Sequence, residues 1–183
     1  MGDNNDIAQM LALLHKLQGI EFVRLLKRIC ERREFSPLDS NSQIFTIGGI
    51  GSEDYRPLID AAQKAVEYGY RVFVLPNPKD IRTADFIFER KGVYKMFDLK
   101  TISGRNSVDN RLLESINQTN RVLLHMTADY NPGTLARSIK RYFELNVSAR
   151  EVLVFKGMKQ ISVTRRSLED NDFFRTFIRR YTK

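Results

Sequence analysis

The sequence predicts an α/β protein, a mixed β-sheet flanked by helices with an N-terminal helical arm, and three observations predict it. Some stretches space their apolar residues by three and four while others are short solid apolar runs, so helices and strands alternate along the chain. Runs such as Val72-Phe73-Val74-Leu75 and Val122-Leu123-Leu124 are apolar on both faces, as strands covered by helices on two sides must be. With 183 residues, 42% hydrophobic and 28% charged, the chain suffices for a core of its own and is excluded from the disordered and low-complexity classes.

From Asn5 to Arg33, the apolar positions Ile7, Met10, Leu11, Leu14, Leu17, Phe22, Val23, Leu26 and Ile29 mark one long amphipathic helix or a helical pair bent near Gly19. The polar, proline-bearing stretch from Ser36 to Ser42 reads as a connection, which places the arm at 1–40 and the α/β domain at 41–183. Gln43 to Ile47 reads as a strand, and Gly48-Gly49-Ile50-Gly51-Ser52 as a turn into a helix from Tyr55 to Tyr68 that stops at Gly69. A strand from Arg71 to Leu75 is closed by Pro76-Asn77-Pro78. Ala84 to Glu89 and Val93 to Lys100, separated by Arg90-Lys91-Gly92, form an antiparallel hairpin. A helix from Ser107 to Asn117, a strand from Arg121 to Met126, a helix from Thr134 to Leu145 and strands at Val152 to Phe155 and Gln160 to Thr164 follow. A last helix begins at Leu168, with Ser167 and Asp170 in capping-box positions.

Charge narrows the partner. The formal net charge is +8, and beyond residue 130 there are 12 Lys+Arg against 5 Asp+Glu, so nearly all the excess lies in the last third. Excess cationic charge interleaved with aromatics, as in Arg141-Tyr142-Phe143 and Arg179-Arg180-Tyr181, favours nucleic acid over a merely solubilising surface. The single Cys30 excludes an intramolecular disulfide, and with His15 and His125 far apart no Cys/His zinc spacing exists. The N-terminus is acidic, and no apolar run approaches the roughly 18 residues of a membrane span. The expectation is a reduced, cytoplasmic protein with no membrane partner.

Three residues stand out chemically. Asp98 and Lys100, two apart in an apolar strand with Phe97 and Leu99, project from one face. A charge so placed is costly unless it is paired or holds a metal. In a hairpin centred on Lys91, partners sum to about 182 or 183, so Asp85 faces position 97 or 98 and its carboxylate can approach that of Asp98. Two carboxylates without His or Cys describe a hard-cation site, Mg²⁺ or Mn²⁺, beside which a lysine stabilises developing negative charge. The other reading is an ordinary Asp98–Lys100 salt bridge at a strand end, with Asp85 capping the turn after Arg82-Thr83.

The segments Gly69-Tyr70-Arg71-Val72, Leu75-Pro76, Thr83-Ala84-Asp85-Phe86-Ile87, Tyr94 with Phe97-Asp98-Leu99-Lys100-Thr101, and Asn117-Gln118-Thr119-Asn120 resemble the C-terminal nuclease domains of contact-dependent growth-inhibition toxins. More broadly, the chain from Tyr55 to Arg165 is similar to the PD-(D/E)xK, or restriction-endonuclease-like, nuclease superfamily. The resemblance implies a core of helix, three strands, helix and strand, with an acid on the second strand and D/E-x-K on the third. Carried over by position, these are Asp85, then Asp98 and Lys100, and Gln118 falls where some branches place an active-site glutamine. It also implies an inhibitor or immunity protein as a partner. Two departures are evident: Asp98 stands where Glu is commoner, and Leu58 lies about where the first core helix often carries a Glu, with Asp60 and Glu67 as the nearby acids. A chain of this length beginning at Met1 is expected to carry no delivery module.

Arg82, Arg105 in the Ser103–Ser107 loop, and Lys140 and Arg141 on a helix whose other face is core are the candidate backbone contacts to nucleic acid. His125 reads as an edge-strand histidine. The leading expectation is therefore a Mg²⁺- or Mn²⁺-dependent nuclease acting on DNA or RNA. Two alternatives stand beside it. One is a non-catalytic nucleic-acid-binding or mobile-element accessory protein with a nuclease-like fold; the other is a nucleotide-binding α/β protein that cradles phosphate at Gly48 to Gly51. The arm either forms a homodimer or packs on its own core.

Overall fold

The computed structural model describes residues 3–40, 42–48, 55–77, 82–104 and 108–183. It is a mixed α/β protein with seven helices and eight strands among the described residues, the strands lying in chain order across the sheet. Contacts divide the chain into two units, Met1–Phe97 and Asp98–Lys183. Among the described residues no helix is long and apolar enough to cross a membrane.

The first unit begins with α1 (Asp3–Leu14) and α2 (Gly19–Cys30), the bent pair expected from the spacing. The bend falls on Gly19, whose φ of +58° suits a residue without Cβ. Next come β1 (Phe35–Pro37), β2 (Ile44–Ile47), α3 (Arg56–Glu67), β3 (Arg71–Val74), β4 (Phe86–Arg90) and the first half of β5 (Val93–Ile102). β2 and β3 are parallel, whereas β1 on β2, β3 on β4 and β4 on β5 are antiparallel. The segment 1–40 shares one apolar cluster with the strands. Ile7, Leu11, Leu26 and Ile29 are buried with Phe73, Ile87 and Met96, so these faces of α1 and α2 are spent on their own unit.

β1 is a departure from the sequence reading, which takes the region from Ser36 as a connection. Phe35 is buried and meets Phe73 edge-on at 5.3 Å, which anchors the strand, while Pro37 is tolerated because an edge strand leaves one side of its backbone unpaired. The β4–β5 hairpin is as expected. Arg90 pairs with Val93 around Lys91 and Gly92, both at positive φ, and the Gly92 amide donates to Glu89 Oε1 at 2.7 Å.

Cys30 closes α2 at the rim of this core. Burial pushes its thiol from 9.0 up to about 12. The folded value lies above the unfolded one, so this group's contribution to stability is complete below pH 9.0 and drains away as pH rises towards about 12. Because the thiolate is the reactive species, disulfide-exchange labelling at about pH 8 should run at least about 10²-fold slower in native protein than in guanidinium chloride. Equal rates would mean that Cys30 is not packed in this way.

The second unit holds the rest of β5, then α4 (Val108–Glu114), β6 (Arg121–Met126), α5 (Pro132–Leu145), β7 (Glu151–Lys156), β8 (Lys159–Thr164), α6 (Arg165–Leu168) and α7 (Phe173–Thr182). β5, β6 and β7 are parallel and β8 returns antiparallel. Val122, Leu124, Val152 and Val154 share a core with Leu135, Ile139 and Phe143 of α5 and with Phe173, Phe177 and Tyr181 of α7. Pro132 opens α5, where a missing amide costs nothing, and the Asn131 side chain accepts from Thr134 N at 2.9 Å.

Two more elements differ from the sequence reading. The capping box is Thr164 with Ser167, one turn earlier than expected; it starts the short α6, and the last long helix begins only at Phe173. α4 ends at Glu114, and Asn117 takes a left-handed φ of +70° in the turn before β6. His125 is not on an edge strand, since β6 lies between β5 and β7, and it is buried there.

Candidate functional site

Asp98 lies within β5, not at a strand end, and is buried to 3% exposure. Strand alternation puts Lys100 on the same face, and its Nζ stands 3.1 Å from Asp98 Oδ2. That oxygen is fully buried and accepts no hydrogen bond among the described residues: the ammonium is near it but outside bonding geometry. Asp98 Oδ2 thus has an ionic neighbour and no donor, an arrangement that costs stability unless something else is bound there.

Lys100 has a second acidic neighbour that the sequence reading did not single out. Glu114, the last residue of α4, places Oε2 4.0 Å from Lys100 Nζ, while Arg111 approaches the same oxygen at 3.4 Å. Glu114 is half exposed, so its carboxylate meets solvent and the part-buried lysine at once. Gln118 sits in the following turn, and its side-chain Nε2 donates to the Glu114 carbonyl at 3.0 Å. The only trace in the sequence is the four-residue spacing from Glu114 to Gln118; the approach to Lys100 depends on how α4 returns the chain to β6.

Asp98 also acts on the helix beneath it. The Tyr142 phenol on α5 is held above its usual range, first by burial and in smaller part by the Asp98 charge, against the lowering effect of the Asn146 hydrogen bond. Asn146 Nδ2 donates to Tyr142 Oη at 3.1 Å, which fixes the inner face of α5.

Of the residues taken from the sequence, Asp98, Lys100 and Gln118 belong to this group, Gln118 through the backbone of Glu114. Asp85 lies in the first unit immediately before β4. Its amide donates to Phe97 O at 3.0 Å and its carbonyl accepts from Leu75 N at 2.9 Å. Every β4–β5 pair sums to 183, one of the two values counted from the hairpin. Arg82 is exposed in the first unit, and its carbonyl is 2.8 Å from His15 Nε2. Lys140 and Arg141 are exposed on α5; among the described residues no ion pair joins them to Asp98, Lys100 or Glu114. Arg105 and residues 49–51 of the glycine-rich turn lie outside the described residues. Asp60 is exposed on α3, and Glu67 pairs with Lys64 at 2.8 Å.

No family model and no curated protein matches this chain. Among solved structures it is similar to a CdiA-CT/CdiI toxin and immunity complex from Burkholderia pseudomallei, at 17% identity and a TM-score of 0.43, over 64% of this chain and 92% of that one. A likeness at that level carries no conclusion about activity.

The donor set suits a hard cation. It consists of carboxylate oxygen with no sulfur or imidazole, and includes a buried oxygen that accepts no hydrogen bond. Among the described residues no group of three or more His, Cys, Asp or Glu side chains gathers, so a cation here would depend on water and phosphate oxygens for its remaining ligands.

Proposed function

We propose that this protein is a metal-dependent nuclease that hydrolyses phosphodiester bonds in DNA or RNA. The observation that carries the reading is the buried Asp98 Oδ2, which accepts no hydrogen bond among the described residues, beside the part-buried Lys100. The order α3, β3, β4, β5, α4, β6 supports it, as does the position of Asp85 before the second of these strands and of Asp98 and Lys100 on the third.

In this reading Asp98 would be a ligand to Mg²⁺ or Mn²⁺, with water and phosphate oxygens completing the shell. Such an ion, when bound, would supply positive charge to a phosphate oxygen and make a water nucleophilic near neutral pH. Lys100 stabilises the negative charge that develops on the phosphate, and its low exposure strengthens that interaction because little water competes. Glu114 restrains the ammonium from the solvent side and is a positioning residue. An immunity protein that covers the site belongs to the same proposal.

The test is cleavage of a panel of single- and double-stranded DNA and RNA with Mg²⁺ or Mn²⁺, with and without EDTA, using Asp98→Ala as control. Cleavage that EDTA and Asp98→Ala both abolish supports the reading; no cleavage of any substrate, or cleavage indifferent to both, overturns it. A second reading has one observation in its favour: Lys100 already sits against Asp98, as in a protein that keeps the fold and binds nucleic acid without turnover. It predicts salt-sensitive binding that persists in Asp98→Ala and no cleavage by the native chain.

A further inference from the structure

The excess charge of the chain has a specific address in the second unit. α5 and α7 pack together, and α5 turns Arg137, Lys140 and Arg141 outward with Glu144 as the one carboxylate among them. Among the described residues none of these three cations is in an ion pair. Arg137 donates only to the Thr134 hydroxyl at 3.1 Å, and Lys140 Nζ lies over the ring of Phe174 at 5.6 Å from its centroid.

Phe174 is the unusual member. The apolar ridge of α7 is Phe173, Phe177 and Tyr181, all buried, whereas Phe174 is 37% exposed beside that ridge and rests edge-on against Phe173 at 5.2 Å. An exposed aromatic ring with a lysine ammonium over it, on a helix packed against the one that carries Arg137 and Arg141, offers base stacking and phosphate contact on neighbouring helices. A duplex hides its base faces, so this combination suits a single strand. Of the three cations of α7, Arg175 pairs with Asp172 and Arg180 donates to Gln160 O at 3.3 Å, while Arg179 is exposed and in no ion pair among the described residues.

We propose that the outer face of α5 with Phe174 of α7 is a docking surface for single-stranded nucleic acid, Phe174 stacking on a base while Lys140 and Arg141 contact adjacent phosphates. This rests on the reading of the protein as one that acts on nucleic acid, and it assigns holding to a surface separate from Asp98 and Lys100.

The experiment is fluorescence anisotropy with the full chain in EDTA, using labelled oligo-dT, oligo-rU, a duplex and poly-glutamate across a salt series. The expected result is tighter binding of a single strand than of the duplex or poly-glutamate, weakened about tenfold by Phe174→Ala and restored by Phe174→Tyr. Lys140→Gln with Arg141→Gln should flatten the slope of log K against log salt by about 1.4, two contacts at about 0.7 each. Arg175→Gln should change little because Asp172 already neutralises it, and unchanged melting temperatures confirm that the variants fold. The two oligonucleotides show whether DNA or RNA is favoured, and either supports the proposal. Native affinity in the Phe174 and Lys140/Arg141 variants, equal binding of the duplex, or poly-glutamate binding with the same losses overturns it. If the native chain cleaves nucleic acid yet these variants bind normally, only the surface is wrong; if it neither binds nor cleaves, the functional reading falls with it.

Discussion

Asp98→Ala should lower metal-dependent cleavage by about 10³-fold or more, and Lys100→Ala by about 10²–10³-fold. The first figure follows from the role of metal ligand proposed for Asp98, worth several kcal/mol at about 1.4 kcal/mol per decade. The second is the usual cost of removing one preorganised charge from the transition state. Both substitutions also disturb the fold, because each leaves the other member of a buried pair without its partner, at about 2–3 kcal/mol. A loss of activity alone is therefore ambiguous. The double variant Asp98→Leu with Lys100→Met removes the ambiguity: with both charges replaced by apolar groups of similar size, its melting temperature should recover to near the native value while cleavage stays absent. Recovery of cleavage in the double variant, or full cleavage by Asp98→Ala, would show that the pair is structural.

The pair was legible in the sequence because strand alternation is local. Given a strand through Phe97 and Leu99, residues 98 and 100 must share a face, and the structure finds their charged atoms 3.1 Å apart. The hairpin was legible for a similar reason: Lys91-Gly92 can take the two positive φ values of a tight turn, and the turn then fixes the register. What was not legible depends on distant packing. β1 was hidden because Pro37 argues against a strand unless it lies on an edge, and only Phe73, far along the chain, makes Phe35 worth burying. Glu114 left only its four-residue spacing to Gln118, because its neighbour Lys100 comes from a strand on the far side of a loop. Phe174 has no signal in the sequence, because its role depends on α5 placing Lys140 over its ring. The capping error has a local cause. Ser167 and Asp170 satisfy the spacing rule as well as Thr164 and Ser167 do, and the choice is made by where β8 ends.

Glu151→Ala should be the most destabilising change of a charged residue outside the candidate site, at about 3 kcal/mol. Glu151 opens β7 between β6 and β8 with its side chain 6% exposed. Oε2 lies 3.3 Å from Arg121 Nε, its register partner on β6, and Oε1 accepts from Ser162 Oγ at 2.7 Å. Burial already pulls the Arg121 guanidinium below its usual range, and Glu151 is the group that opposes this. Arginine does not shed its proton to escape, so removing Glu151 leaves a desolvated cation beside a hydroxyl that has lost its acceptor. For a chain of this size the melting temperature should fall by about 6–12 °C. Glu151→Gln, which keeps an acceptor for Ser162 but not the charge, should lie between. Arg121→Met with Glu151→Leu should return close to native, because what destabilises the single variant is the unpaired charge rather than the loss of an attraction. The exposed pairs Arg24–Glu21 and Arg175–Asp172 provide the contrast: solvent screens them, and breaking either should cost less than about 1 kcal/mol and shrink further with salt. Thermal melts at low and high salt separate the two classes, and a Glu151→Ala variant no less stable than Arg175→Ala would mean that Arg121 reaches water and the pair is not buried.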